Sequence, residues 1–119
     1  MRPTGPTNPV VRELVEDLRR RGYAERNRFC LRLAELISRP RRRKVEVNLV
    51  KIERYASEND TVVVPGKVLA YGNLSKPVKV SAVSFSKKAE EKIKEAGGEV
   101  LGIRELVEKT GGSGVKIIT

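Results

Sequence analysis

Apolar positions along the first third of the chain recur at helical spacing. Val10, Val11, Leu14, Val15 and Leu18 share one face, and Arg12, Glu16 and Arg20 lie four apart on another, where they can pair. Asn8-Pro9 supplies a start, with Asn8 as N-cap and Pro9 in the first helical position. Gly22 supplies a stop, and Arg19-Arg20-Arg21 just before it suits the negative end of a helix. A second helix is predicted from about Ala24 to Ile37. Its apolar stripe is Phe29, Cys30, Leu33, Leu36 and Ile37, with Arg28, Arg32 and Arg39 near a separate line. Pro40 disfavours helix at Arg39 and ends it. Residues 1–8 read as an extended tail.

From Val45 the pattern shortens. Val45-Glu46-Val47 predicts a strand, and Asn48 can cap a short helix with Leu49, Ile52, Tyr55 and Ala56 inward. Asn59-Asp60 turns the chain into the buried strand Thr61-Val62-Val63-Val64. Pro65-Gly66 has the residues of a type II turn before a second short strand, Lys67-Val68-Leu69-Ala70. After a turn at Tyr71-Gly72-Asn73, Val78, Val80 and Ala82 alternate with Lys79 and Ser81 in a strand through Phe85. Ser86 caps a helix from Lys87 to Ala96, with Ala89, Ile93 and Ala96 inward, and Gly97-Gly98 closes it. A short strand at Val100-Leu101, a short helix with Ile103, Leu106 and Val107, a hairpin-type loop at 111–114 and a strand at 115–118 complete the pass. The fold class is α/β: a compact domain over residues 45–119, with a basic tail and helices over 1–44 packed on it through Val11, Leu14, Leu18, Phe29, Leu33 and Leu36.

Composition refines this picture. Aromatics make up only 4% of the 119 residues, so the core must be aliphatic. The absence of Trp and Gln on a surface rich in Glu, Lys and Arg fits a hot-growing source. No apolar run approaches a membrane span, and the N-terminus lacks the apolar stretch of a signal peptide, so a soluble cytoplasmic protein is expected.

Charge changes the picture most. The formal net charge is +10. Between Arg19 and Lys44 stand eleven Lys/Arg against only Glu25 and Glu35. Thirteen of the fourteen arginines lie at or before Arg54, whereas Lys dominates afterwards. Arginine's planar fork matches phosphate bidentately, so an Arg-rich first half points to a polyanion. The run Arg39-Pro40-Arg41-Arg42-Arg43-Lys44 holds five cations, no acid and no apolar side chain. No protein core can take it, so it faces water or presses on an anion. Arg39, Arg41, Arg42, Arg43 and Lys44 are therefore the first candidates for nucleic-acid phosphates. Arg19, Arg20, Arg21, Arg28 and Arg32 rank second, with Arg12. By contrast, Lys87, Lys88, Lys92 and Lys94 lie beside Glu90, Glu91 and Glu95, and ordinary surface ion pairs account for them.

Catalysis finds no support. There is no His, and Cys30 is the only cysteine, so neither a disulfide, a zinc set nor the usual general base is available. Cys30 sits in an apolar stripe and reads as a small buried hydrophobe. Gly66-Lys67 resembles part of a phosphate loop, but Thr61 and Val68 occupy the places of the required glycine and Ser/Thr. No catalytic residue, metal, cofactor or small-molecule substrate is expected. The aromatics Tyr23, Phe29, Tyr55, Tyr71 and Phe85 are scattered, so RNA contact should rest on phosphates and shape.

Three linked blocks carry a resemblance. Thr7-Asn8-Pro9 before an apolar helix, Ser38 through Leu49, and Asp60 through Leu69, with Val78 through Ala96 besides, resemble the archaeal and eukaryotic large-subunit ribosomal protein eighteen, "e" type, a family related to bacterial ribosomal protein fifteen. The resemblance spans nearly the whole chain. It implies an irregular β-β-α superhelix-like domain with an N-terminal helical extension. It also implies a non-enzymatic role in the ribosome, with large-subunit ribosomal RNA and neighbouring ribosomal proteins as partners. The alternative is a stand-alone basic nucleic-acid-binding protein of chromatin or regulation, which would follow DNA and not large subunits on sedimentation.

Overall fold

The computed structural model describes residues 9–38, 45–112 and 114–119. In chain order these form α1 (Pro9–Ala24), α2 (Arg28–Ile37), β1 (Val45–Asn48), α3 (Leu49–Tyr55), β2 (Thr61–Leu69), β3 (Lys79–Phe85), α4 (Lys87–Glu95), β4 (Glu99–Gly102), α5 (Ile103–Thr110) and β5 (Val115–Ile117). The architecture is mixed α/β: two N-terminal helices, then a parallel sheet with interleaved helices. β1, β2, β3 and β4 lie side by side in chain order. β5 shares the β1 edge of β2, pairing with residues 61–63 while β1 pairs with 66–69.

Parallel neighbours need crossovers, which α3, α4 and α5 supply. The step from β2 to β3 has no helix; residues 70–78 make it, anchored by the buried Leu74. Such a sheet is covered on both faces, which is why 62–64 is a continuous valine run. Val62 and Val64 join the core under α3 and α4, with Leu49, Ile52, Ala89 and Ile93. Val63 points the other way, to a second core with Val15, Leu18, Cys30, Leu33, Leu106 and Val107. The stripes of α1 and α2 are thus buried on the sheet and α5, with Val11, Leu14 and Phe29 packed at the margin. Leu36 is buried as well.

Several sequence expectations are corrected. Val10 does not join the stripe of α1; it is exposed. Gly22 does not end α1; it is buried inside it, and a Cβ there would stand 2.6 Å from the Leu31 side chain. The glycine serves a close α1–α2 approach. The second helix starts at Arg28, not near Ala24, because Asn27 caps it: Asn27 Oδ1 accepts from Phe29 N at 3.0 Å and Cys30 N at 3.3 Å. Pro65-Gly66 is no turn. β2 runs through it with a register shift between Val64 and Lys67, a bulge that tolerates the missing proline N–H. A Cβ on Gly66 would fall 2.0 Å from the Val45 carbonyl oxygen, so glycine lets β1 come alongside. Tyr55 turns outward and is 56% exposed. The glycine loop after α5 is not a hairpin, since it leads into a parallel strand. Gly112 there packs against Phe29, and the Gly111 carbonyl accepts from Asn27 Nδ2 at 2.8 Å. Other expectations hold: Ser86 Oγ caps α4 through Ala89 N, and Gly97 (φ 86°) closes it, with Gly98 N bonded to the Ile93 carbonyl.

Candidate nucleic-acid interface

The first-ranked cations, Arg39, Arg41, Arg42, Arg43 and Lys44, lie outside the described residues, as do residues 1–8. What flanks them is described. Ile37 and Val45 line one cleft of about 380 Å3, together with Val11, Leu36, Pro65 and Val83. The described residues on either side of the run, Ile37 and Val45, therefore lie near one another. The first turn of α1, with Arg12 next to Val11, borders the same cleft.

The structure divides the second-ranked arginines into two groups. Arg20 Nη1 meets Asp17 Oδ1 at 3.2 Å, and Arg32 Nη1 meets Glu35 Oε1 at 3.3 Å. Arg21 reaches Glu25 at 3.8 Å. Asp17 also holds Arg104 of α5 at 2.7 Å, pinning α5 to α1. The expected Arg12–Glu16–Arg20 pairing does not form, because Arg20 turns to Asp17. Exposed pairs of this kind contribute little to stability, yet they lower the charge available to a partner.

Arg12, Arg19, Arg26 and Arg28 form the other group. All four are exposed, and none makes an ion pair with a described residue. Arg12 and Arg19 lie seven apart, two turns along one side of α1, and Tyr23, 75% exposed, follows Arg19 by one turn. Arg26 comes three residues later in the turn to α2, with φ 52°, a left-handed conformation that non-glycine residues seldom take. Arg28 opens α2, whose first turn has no acidic residue. A cation at the positive end of a helix is disfavoured, and a bound anion would offset that. The sequence ranks Arg12 second, with Arg19 and Arg28, and does not pick out Arg26, Tyr23 or Arg104. The Arg12–Arg19–Tyr23 spacing was visible; which arginines lack acids was not.

On the opposite face several cations are engaged, although Lys87 and Lys88, expected to pair with neighbouring acids, make no ion pair with a described residue. Lys94 meets Glu90 at 2.9 Å, and Lys116 meets Asp60 at 2.6 Å. On α5, Lys109 meets Glu105 at 3.2 Å. Lys92 departs from expectation: it is half-buried and donates to the Ala70 and Gly72 carbonyls at 2.9 and 3.0 Å, clamping the 70–78 crossover. The Lys116 ammonium, with Ser57 N–H, holds the Asp60 carboxyl below the usual carboxylate range. Two Ser75 donors do the same for Glu53. Burial raises the Cys30 thiol, which keeps it protonated and unreactive. Among the described residues no group of three or more His, Cys, Asp or Glu could hold a metal, and no helix is long and apolar enough to cross a membrane.

Comparison with known proteins shows the family of the chain. Residues 31–101 match the family of ribosomal proteins 50S-L15 and 50S-L18e and their 60S counterpart. Large ribosomal subunit protein eL18 of Pyrobaculum aerophilum is 50% identical over 117 residues, 98% of this chain and 96% of that protein. The eL18 proteins of Archaeoglobus fulgidus and Methanopyrus kandleri are 46% identical over 113 residues and 44% over 122. These alignments cover 94% and 98% of this chain, and 97% and 96% of the relatives. With the family match over more than half its length and relatives this similar end to end, the chain belongs to the ribosomal protein family of 50S-L15 and 50S-L18e.

Proposed function

We propose that this protein is a structural, non-enzymatic constituent of the large ribosomal subunit in the cytoplasm. Ribosomal RNA and neighbouring ribosomal proteins are its partners. The RNA-binding surface comprises the run Arg39, Arg41, Arg42, Arg43 and Lys44 with Arg12, Arg19, Arg26 and Arg28, which make no ion pair with a described residue. Arg20, Arg21 and Arg32 contribute less, since acids already face them.

One observation carries the reading. In a chain of net charge +10, Arg12, Arg19, Arg26 and Arg28 are exposed and make no ion pair with a described residue, and Arg12 stands next to Val11 at the cleft where Ile37 and Val45 flank the most basic segment. Unbalanced guanidinium groups repel one another, and a phosphate backbone relieves that repulsion. The division of labour follows: residues 1–44 supply most of the contact charge, and 45–119 supply the compact α/β frame. The successive strand–helix units are read as irregular turns of a β-β-α superhelix, with the helix-free crossover at 70–78 as its irregularity.

The rival reading, a free-standing chromatin or regulatory protein, is separated by competition. The full chain is bound to labelled large-subunit RNA and challenged with duplex DNA of equal phosphate content. A ribosomal protein keeps the RNA and sediments with large subunits; displacement at equal phosphate would overturn the proposal.

A further inference from the structure

Tyr71 is 74% exposed, but the turn that carries it is tightly held. Its carbonyl accepts from Val50 N at 3.0 Å, at the start of α3. The carbonyls on either side, of Ala70 and Gly72, both accept from Lys92 Nζ. Gly72 takes φ 96°, and a Cβ there would fall 2.7 Å from Val50 Cβ. Downstream, Ser75 donates its N–H and hydroxyl to Glu53 of α3. These contacts fix a loop whose outermost side chain is an aromatic ring in water. Preorganisation of this kind lowers the ordering cost of a later contact.

The surroundings indicate what that contact is. Val50, 40% exposed, lies beside the Tyr71 turn, and Arg54 follows it by one turn on the outer side of α3. Arg54 is exposed and makes no ion pair with a described residue. The nearby acid, Glu53, is occupied by the Ser75 donors. One ring, one aliphatic neighbour and one free guanidinium form too small an apolar area for a stable protein interface. They do suit an unpaired base, which stacks on an aromatic ring or a guanidinium plane while its phosphate meets a cation.

We infer that Tyr71, with Val50 and Arg54, forms a stacking platform for an unpaired nucleotide of RNA, on the α3 side of the sheet and away from the α1–α2 arginines. The inference rests on the RNA-binding reading and extends it: the protein would touch RNA on two opposite sides.

The test uses the full chain and transcribed large-subunit RNA, with Tyr71→Ala and Tyr71→Phe. Both variants should melt like the wild type, because the ring is exposed. Tyr71→Ala should bind about 10-fold more weakly with an unchanged salt slope, and Tyr71→Phe should stay within about 2-fold of wild type, since stacking needs the ring and not the hydroxyl. Wild-type affinity in Tyr71→Ala would overturn the platform while leaving the arginine surface standing. Unchanged RNA affinity with poor incorporation into large subunits would overturn it in favour of a protein contact. If the wild type itself failed to bind the RNA, both readings would fall.

Discussion

The helical pair α1–α2 and the α3–α4 side cover opposite faces of one sheet, and they use positive charge differently. On α3–α4 and the adjacent loops, three cations are consumed inside the molecule: Lys92 clamps the crossover, Lys116 holds Asp60, and Lys94 pairs with Glu90, while Arg54, Lys87 and Lys88 make no ion pair with a described residue. On α1–α2, Arg12, Arg19 and Arg28 stand exposed without an acid. Charge that serves the fold and charge that is left for a partner are therefore separable by geometry, although composition counts both alike.

The contrast can be broken from either side. The largest stability effect should come from Lys92→Met, which keeps the aliphatic stem but leaves two carbonyls without their donor. It should cost about 2 kcal/mol in a denaturant titration and leave the RNA affinity of the folded protein near wild type. A loss of affinity without a loss of stability would place Lys92 in the interface. The mirror experiment replaces Arg12, Arg19 and Arg28 by Gln. Stability should move by no more than about 0.5 kcal/mol, because no intramolecular pair is lost, and RNA affinity should fall.

Acid should act on the Asp60 and Glu53 contacts. Asp60 and Glu53 have depressed folded-state pKa values, so the stability they contribute is present above their unfolded values and is lost as pH falls through the folded ones. Melting temperature should drop below about pH 4. Asp60→Asn should flatten that limb, and the triple Arg→Gln variant should not. An unchanged acid limb in Asp60→Asn would remove the Lys116 pair from the account.

Smaller effects probe the core beneath the arginines. Cys30→Ala should cost ~1 kcal/mol because the cavity is small, with RNA binding unchanged. Native Cys30, fully buried, should react far more slowly with a thiol reagent than a model thiol does. Ser81 is buried, and its hydroxyl finds no hydrogen-bond partner among the described residues. Ser81→Ala should be neutral or stabilising by up to about 1 kcal/mol; clear destabilisation would mean the hydroxyl is satisfied.

Local chemistry made much of this legible in advance. The Ser86 cap, the Gly97-Gly98 stop, the valine run and, Val10 apart, the apolar stripes of α1 and α2 depend on neighbours within a few residues, and each stands as read. What escaped depends on distant parts of the chain. Gly22 is a glycine because Leu31 crosses it, and Gly66 because the Val45 carbonyl does. Lys92 reads as a surface cation until the crossover folds over it. The candidate interface follows the same rule: net charge and the Arg run were legible, but which arginines lack a partner depends on where Asp17, Glu25 and Glu35 turn. The grouping of Lys92 with Lys87, Lys88 and Lys94 as ion-paired surface cations fails for that reason; Lys94 and Lys109, each paired with a glutamate one turn away, suit a control.

The most direct test of the central claim is a salt series for binding to large-subunit RNA. Wild type is compared with a variant in which Arg39, Arg41, Arg42, Arg43 and Lys44 are all changed to Gln, and with a Lys94→Gln, Lys109→Gln control. If these five engage about five phosphates, each releasing counterions, they contribute roughly −3 to −5 to the log–log slope of affinity against salt. The account predicts that the first variant flattens the slope by several units with an unaltered melting temperature, while the control stays near wild type. A first variant with the wild-type slope, beside a control that loses it, would take the RNA away from the 39–44 run.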